Sequence, residues 1–291
     1  MYSKDKWILL LLPVLYITAG CSNHPKNAVE STATQLADLY DTLSTPQPGE
    51  WLYEQQEFGQ SLEEFRDETP IDSNNADATF YILPIDIIHE EEFSLIADVA
   101  TYLTTIFGYE VTVMPSMTAQ LFPPHYFRDE QLNSQLLLDE IIRPLLEQDA
   151  LGLMGITQRD IYPGDGWNFV FGQANTKEKI GITSFARYGD YETDSARQLV
   201  LNRLIKTTTH EFLHMLGLQH CIQYVCVLNG SNSLEESDKK PSIICPECLA
   251  KLDIIFPSFT EKYFQASLQF YQKYQFKEEQ QFCERVINEL K

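Results

Sequence analysis

The sequence predicts an α/β fold with one long helix and a helical C-terminus. Two patterns carry this reading: short runs of β-branched and aromatic residues alternate with helical periodicities up to Phe185, and a long helical pattern follows from Ser195. Thr79–Ile85 is the first strand. Phe93–Phe107 repeats apolar residues at helical spacing, with Leu95, Val99, Leu103 and Ile106 on one face and Gly108 as its stop. Glu110–Met114 is the next strand, which completes a strand–helix–strand unit. Ser134–Gln148, rich in Leu and Ile, is a second helix. Leu151–Ile156 and Asn168–Gly172 are strands around the turn at Pro163–Gly166. Ile180–Phe185 is a strand expected to lie at the sheet edge, where an extended peptide can pair with it. Ser195–Leu218 presents Leu201, Leu204, Ile205, Phe212 and Met215 on one face, and Gly217 stands near its end. Beyond Lys251 the chain is helical again, with Tyr263, Phe264, Leu268, Tyr271, Phe282 and Ile287 expected in the core.

The organisation follows from length and composition. At about 150 residues per domain, 291 residues make one large domain or two small ones. No second boundary is visible after Ala78. Lys4 and Lys6 precede an apolar run of 12 residues, Trp7–Thr18, whereas a membrane-spanning helix needs about 20. Residues 1–20 therefore read as a signal peptide. Ala19 and Gly20 before Cys21 resemble a bacterial lipoprotein signal, which would put a lipid on Cys21. The expectation is an exported chain, anchored by lipid to a bacterial membrane on its periplasmic or cell-surface side. Residues 21–77 read as tether and entry segment, with Ser61–Pro70 acidic and solvated, and 78–291 as the globular domain. The net charge of −21 repels phosphate backbones, so a nucleic-acid partner is not expected.

The chemistry is concentrated in two clusters. His210-Glu211-Phe212-Leu213-His214 is an H-E-x-x-H motif on the long helix. Residues four apart share a helical face, so His210 and His214 can reach one zinc, with Glu211 beside it as general base. Two ligands leave zinc underbound. Gly217 allows the chain to turn off the helix, and His220 then arrives as the third ligand. Three histidines with an open fourth position form a catalytic type of zinc site. Next come Cys221, Cys226, Cys245 and Cys248. Four thiolates in two pairs suit a closed tetrahedral zinc, and two disulfides are the competing reading in an oxidising compartment. Cys283 stands alone in a helical pattern as a buried apolar thiol. His24, His89 and His125 have no partner pattern and read as structural or exposed.

The full string H-E-x-x-H-x-x-G-x-x-H is the metzincin signature. Together with His220-Cys221, the spacing to Cys226, the stretch Gly230–Asp238, Cys245, Cys248 and Leu249–Leu252, it resembles the archaemetzincins, a family of metzincin-like zinc peptidases. Weaker similarity extends back through Asn168–Ala174 and Ser184–Arg187, and Pro48–Leu52 is similar to the entry segment of longer members. The resemblance implies a compact metzincin-like zinc peptidase domain with a mixed sheet. It implies a catalytic zinc on His210, His214 and His220 with Glu211 as base, a structural zinc on Cys221, Cys226, Cys245 and Cys248, and a peptide or protein substrate. One position departs. The family carries a Met two residues after the second Cys, beneath the catalytic zinc, and here that residue is Leu228. The alternative it raises is an inactive, lipid-tethered, zinc-dependent binding or scaffold protein.

Overall fold

A computed structural model describes residues 35–69, 78–148 and 150–291. The expected signal peptide and the lipidation residue Cys21 lie outside the described residues. The main sheet has the order β2-β1-β5-β8-β7, with β1 Phe80–Ile85, β2 Val111–Val113, β5 Gly152–Thr157, β7 Gly172–Asn175 and β8 Ile180–Ser184. β1 pairs in parallel with β2 and β5, β5 in parallel with β8, and β7 runs antiparallel to β8. The sheet is mixed. A small second sheet joins β3 Phe127–Arg128, β4 Gln131–Asn133 and β6 Ile161–Tyr162.

Alternation along the strands fills two cores. Phe80 and Ile82 of β1 and Met154 and Ile156 of β5 enter one cluster, whereas Leu83, Ile85 and Leu153 enter the other. All six residues of β5 are buried, as a central parallel strand covered on both faces must be. The first face is covered by α2 (Glu90–Phe107) and α3 (Asp194–Met215). The second is covered by the helical segment Ser134–Leu145. Leu95, Val99, Leu103 and Ile106 are all buried, as their spacing requires. α2 starts three residues before the sequence pattern because Glu92 turns back to accept hydrogen bonds from the backbone N–H groups of Ile88 (3.0 Å) and His89 (3.1 Å).

Several expectations are corrected. Ser134–Gln148 is not one regular helix. It widens into π-turns at Leu137–Ile142 and ends in a 3-10 turn at Arg143–Leu145, where Pro144 cannot continue the hydrogen-bond ladder. The strand expected at Asn168–Gly172 lies at Gly172–Asn175, and Val170 makes only an isolated bridge to Ile161. β8 is not an edge strand, because β5 and β7 pair with it on both sides; the edge on that side is β7, and β2 is the opposite edge.

The expected C-terminal helix is two helices, α6 Phe259–Tyr274 and α7 Lys277–Glu289, separated by Gln275 in left-handed conformation. They follow α4 Leu234–Lys239 and α5 Pro246–Ile255, and Cys283 is buried within α7. The stretch expected to be tether is packed from its first described residues: Leu36, Tyr40 and Phe65 belong to the first core. Phe65 lies in α1 (Leu62–Glu68), which a reciprocal cap between Ser61 and Glu64 starts; its buried ring anchors the stretch, while Glu63, Glu64, Asp67 and Glu68 are exposed to solvent as expected. No helix among the described residues is long and apolar enough to cross a membrane.

Candidate active site

α3 places the first two histidines. Thr193 caps it by accepting from the Ala196 N–H, and Arg197 ties it to α2 through Asp98 at 2.6 Å. Its Thr207-Thr208-Thr209 run has weak helix propensity, and burial of all three residues holds it helical. The helix ends at Met215. Gly217, at φ +98°, turns the chain back along a path that a side chain would strain. His220 arrives beside the other two histidines.

The three imidazoles are fixed from behind. His210 Nδ1 faces the Val227 carbonyl at 3.0 Å, and His214 Nδ1 the Leu218 carbonyl at 2.7 Å. His220 Nδ1 meets both carboxylate oxygens of Glu57, at 2.8 and 3.0 Å. Carbonyls and carboxylates only accept, so each Nδ1 carries the proton. In the neutral rings each Nε2 is then a bare lone pair. These lone pairs converge: Nε2 of His210 is 3.1 Å from that of His214 and 3.2 Å from that of His220. Three acceptors so close repel one another unless a cation sits among them. A tetrahedral metal at about 2.0–2.1 Å from each nitrogen separates neighbouring nitrogens by about 3.3 Å, so the set fits such an ion. Burial, then the neighbouring His220, hold His214 down at about 3, and burial holds His210 well below its ordinary value, so both stay neutral.

Glu211 lies within the same cleft, of about 450 Å³, and is buried. Burial pushes its carboxyl up to about 8, while the Lys240 ammonium pulls the other way. A Cβ on Gly172 would fall 2.5 Å from Glu211 Oε1, so the carboxylate rests directly on the bare backbone of the edge strand β7. Gly172 and Ala174 of β7 line the cleft opposite Lys240 and Ser237 of the following chain.

The four cysteines form the second cluster. Their sulfurs all lie within 4.8 Å of one another, and all four residues are buried. Cys221 Sγ and Cys245 Sγ are 3.5 Å apart, far beyond the about 2.05 Å of a disulfide. Cys226 Sγ accepts from the N–H groups of Cys245 (3.3 Å) and Leu228 (3.5 Å). The thiols of Cys226, Cys245 and Cys248 stabilise the Cys221 thiolate and pull that group far down, whereas burial pushes Cys245 up and the neighbouring thiols push Cys248 up. A dication suits all four. Leu228 is fully buried between the clusters, and its carbonyl accepts from the Cys221 N–H at 3.0 Å.

All seven residues singled out as metal ligands in the sequence fall into these two groups, each of which could hold a metal ion. Archaemetzincin-2 of Macaca fascicularis is 30% identical over 262 residues, spanning 74% of this chain and 70% of that protein. The chain belongs to the archaemetzincin family. The family profile described as peptidase family M54 matches residues 127–254. The archaemetzincin of Thermococcus kodakarensis is 36% identical over 180 residues, covering 59% of this chain and 93% of that one. The solved archaemetzincin of Methanopyrus kandleri superposes with a TM-score of 0.51 at 27% identity, covering 64% of this chain and 96% of that chain. As an archaemetzincin the chain is a zinc metallopeptidase. Glu57, Gly172 and Lys240 were not singled out as site residues from the sequence. Gly172 stood inside the archaemetzincin-like stretch Asn168–Ala174, which was the one available signal.

Proposed function

We propose that the chain hydrolyses peptide bonds at the three-histidine cluster, with Glu211 as general base, and that the four cysteines hold a second, structural zinc. The convergence of three bare Nε2 lone pairs beside a buried carboxylate carries this reading. Zinc on those nitrogens would supply Lewis acidity and make water nucleophilic near neutral pH. Glu211 then takes a proton on its carboxylate and returns it to the leaving amine. The substrate backbone pairs with β7, the edge strand that forms one wall of the cleft, which replaces Ile180–Phe185 in that role. The four sulfurs fix His220 through its covalent neighbour Cys221. The separation of Cys221 and Cys245 favours zinc over disulfides there.

Metal analysis tests the two-site reading. The full chain is expected to carry two zinc ions, His214→Ala one, and Cys245→Ser one. A parent with a single zinc and two disulfides would refute it. We also propose a lipid on Cys21, on the strength of Ala19, Gly20 and the apolar run before them. Cys21→Ser should then leave the membrane fraction, and a variant that stays there would refute the anchor.

A further inference from the structure

We infer that Glu57 is a positioning residue of the three-histidine site, and that the strap from Trp51 to Gln60 is part of that site rather than a tether leading to it. The inference rests on the reading that His220 is a metal ligand. His210 and His214 are backed by neutral carbonyls, and only His220 is backed by a carboxylate, through two contacts of 2.8 and 3.0 Å. A carboxylate behind an imidazole fixes ring orientation and makes the free nitrogen a stronger donor to metal. His220 is the ligand that most needs fixing. The other two ride on a helix, whereas His220 stands on irregular chain beyond a left-handed glycine.

The strap is built to hold the carboxylate in place. Trp51 Nε1 donates to Glu57 Oε1 at 2.9 Å, and its ring meets the His220 ring edge-on with centroids 5.2 Å apart. The indole is seated against Gly230, where a Cβ would come within 2.3 Å of it. Its backbone N–H donates to Glu236 Oε1 at 2.8 Å. Three residues past Glu57, Gln60 holds both ends of the turn that delivers His220. Its Nε2 donates to the Gly217 carbonyl at 3.1 Å and its Oε1 accepts from the Gln219 N–H at 3.3 Å. Lys251 in turn donates to the Gln60 carbonyl. A segment far away in sequence thus grips the third ligand and its loop from outside the 127–254 region that the family profile matches.

Two variants test this on the full chain. Zinc affinity is read by chelator competition, with zinc at the four cysteines and far-UV circular dichroism as checks of folding. Glu57→Ala is expected to weaken zinc at the three-histidine site about 10–100-fold and leave the cysteine site loaded. Glu57→Gln keeps an acceptor for Nδ1–H but loses the charge. It should lose less affinity and move the acidic limb of the kcat/KM–pH profile to lower pH, because a less electron-rich His220 leaves the metal more acidic. A strap that only stabilises the fold would not move that limb. Affinity within twofold of the parent in Glu57→Ala, or an unmoved limb in Glu57→Gln, overturns the inference. His220→Ala separates this from the underlying reading: if it too left affinity unchanged, the three-histidine assignment itself would fail.

Discussion

Gly172→Ala probes the placement of Glu211 without touching Glu211 or a metal ligand. The new methyl would meet Glu211 Oε1 at 2.5 Å, Cγ at 2.6 Å and Cδ at 2.8 Å. Ordinary contact begins at 3.4 Å, so the carboxylate must retreat by about 0.9 Å. The backbone of β7 has no need of glycine here, because Gly172 is not among the positive-φ residues. The backbone therefore tolerates Ala, and displacing the buried carboxylate should cost about 1–3 kcal/mol of stability. A displacement near 1 Å in a catalytic group can cost about 100-fold in rate. The expected outcome is a kcat/KM about 100-fold lower with zinc content unchanged and the melting temperature lowered by only a few degrees. Glu211→Asp retracts the carboxylate by one methylene, so its effect should be smaller in the Gly172→Ala background than alone, a non-additivity that a double-mutant cycle measures. Full activity in Gly172→Ala would refute the idea that Glu211 acts from its observed position.

Three further outcomes follow from the same geometry. In protein stripped of metal at the three histidines but loaded at the cysteines, Glu211 has a folded carboxyl raised to about 8 from 4.5. The folded state keeps a proton that the unfolded chain sheds, so stability falls as pH rises from 4.5 to 8, by about 3 kcal/mol at pH 7. Glu211→Gln should remove that loss and melt several degrees higher at pH 7; equal melting temperatures there would contradict it. Leu228→Met, at a fully buried position, should change stability by less than about 1.5 kcal/mol and activity only a few-fold, measured by denaturant unfolding and peptide hydrolysis. Cys245→Ser should lower the melting temperature far more than Leu228→Met, because it opens a four-sulfur cluster that ties α5 to the loop after α3.

The site was largely legible because its chemistry is local. His210, Glu211, His214 and His220 lie within one helix and its turn, and the cysteines follow in short spacings. The central strands and α2 were legible from their apolar periodicity. What was misread depends on distant partners. Ile180–Ser184 has the composition of any buried strand, and only the pairing of β7 shows that it is not the edge. Gly172-Gln173-Ala174-Asn175 has little strand propensity, and its register with β8 puts it in the sheet. The break at Gln275 uses a non-glycine residue in left-handed conformation, so no glycine marks it. Glu57 is one of 42 acidic residues, and nothing near it in sequence points to a histidine 163 residues away. Residues 35–69 look polar on average, yet single apolar anchors at Leu36, Tyr40 and Phe65 suffice to pack them.

The most direct measurement is cleavage of a mixed peptide library, read by mass spectrometry, by the zinc-loaded full chain beside its Glu211→Ala twin. The account predicts cuts by the parent that vanish in the twin while both retain two zinc ions. Equal cleavage by the two proteins would contradict it.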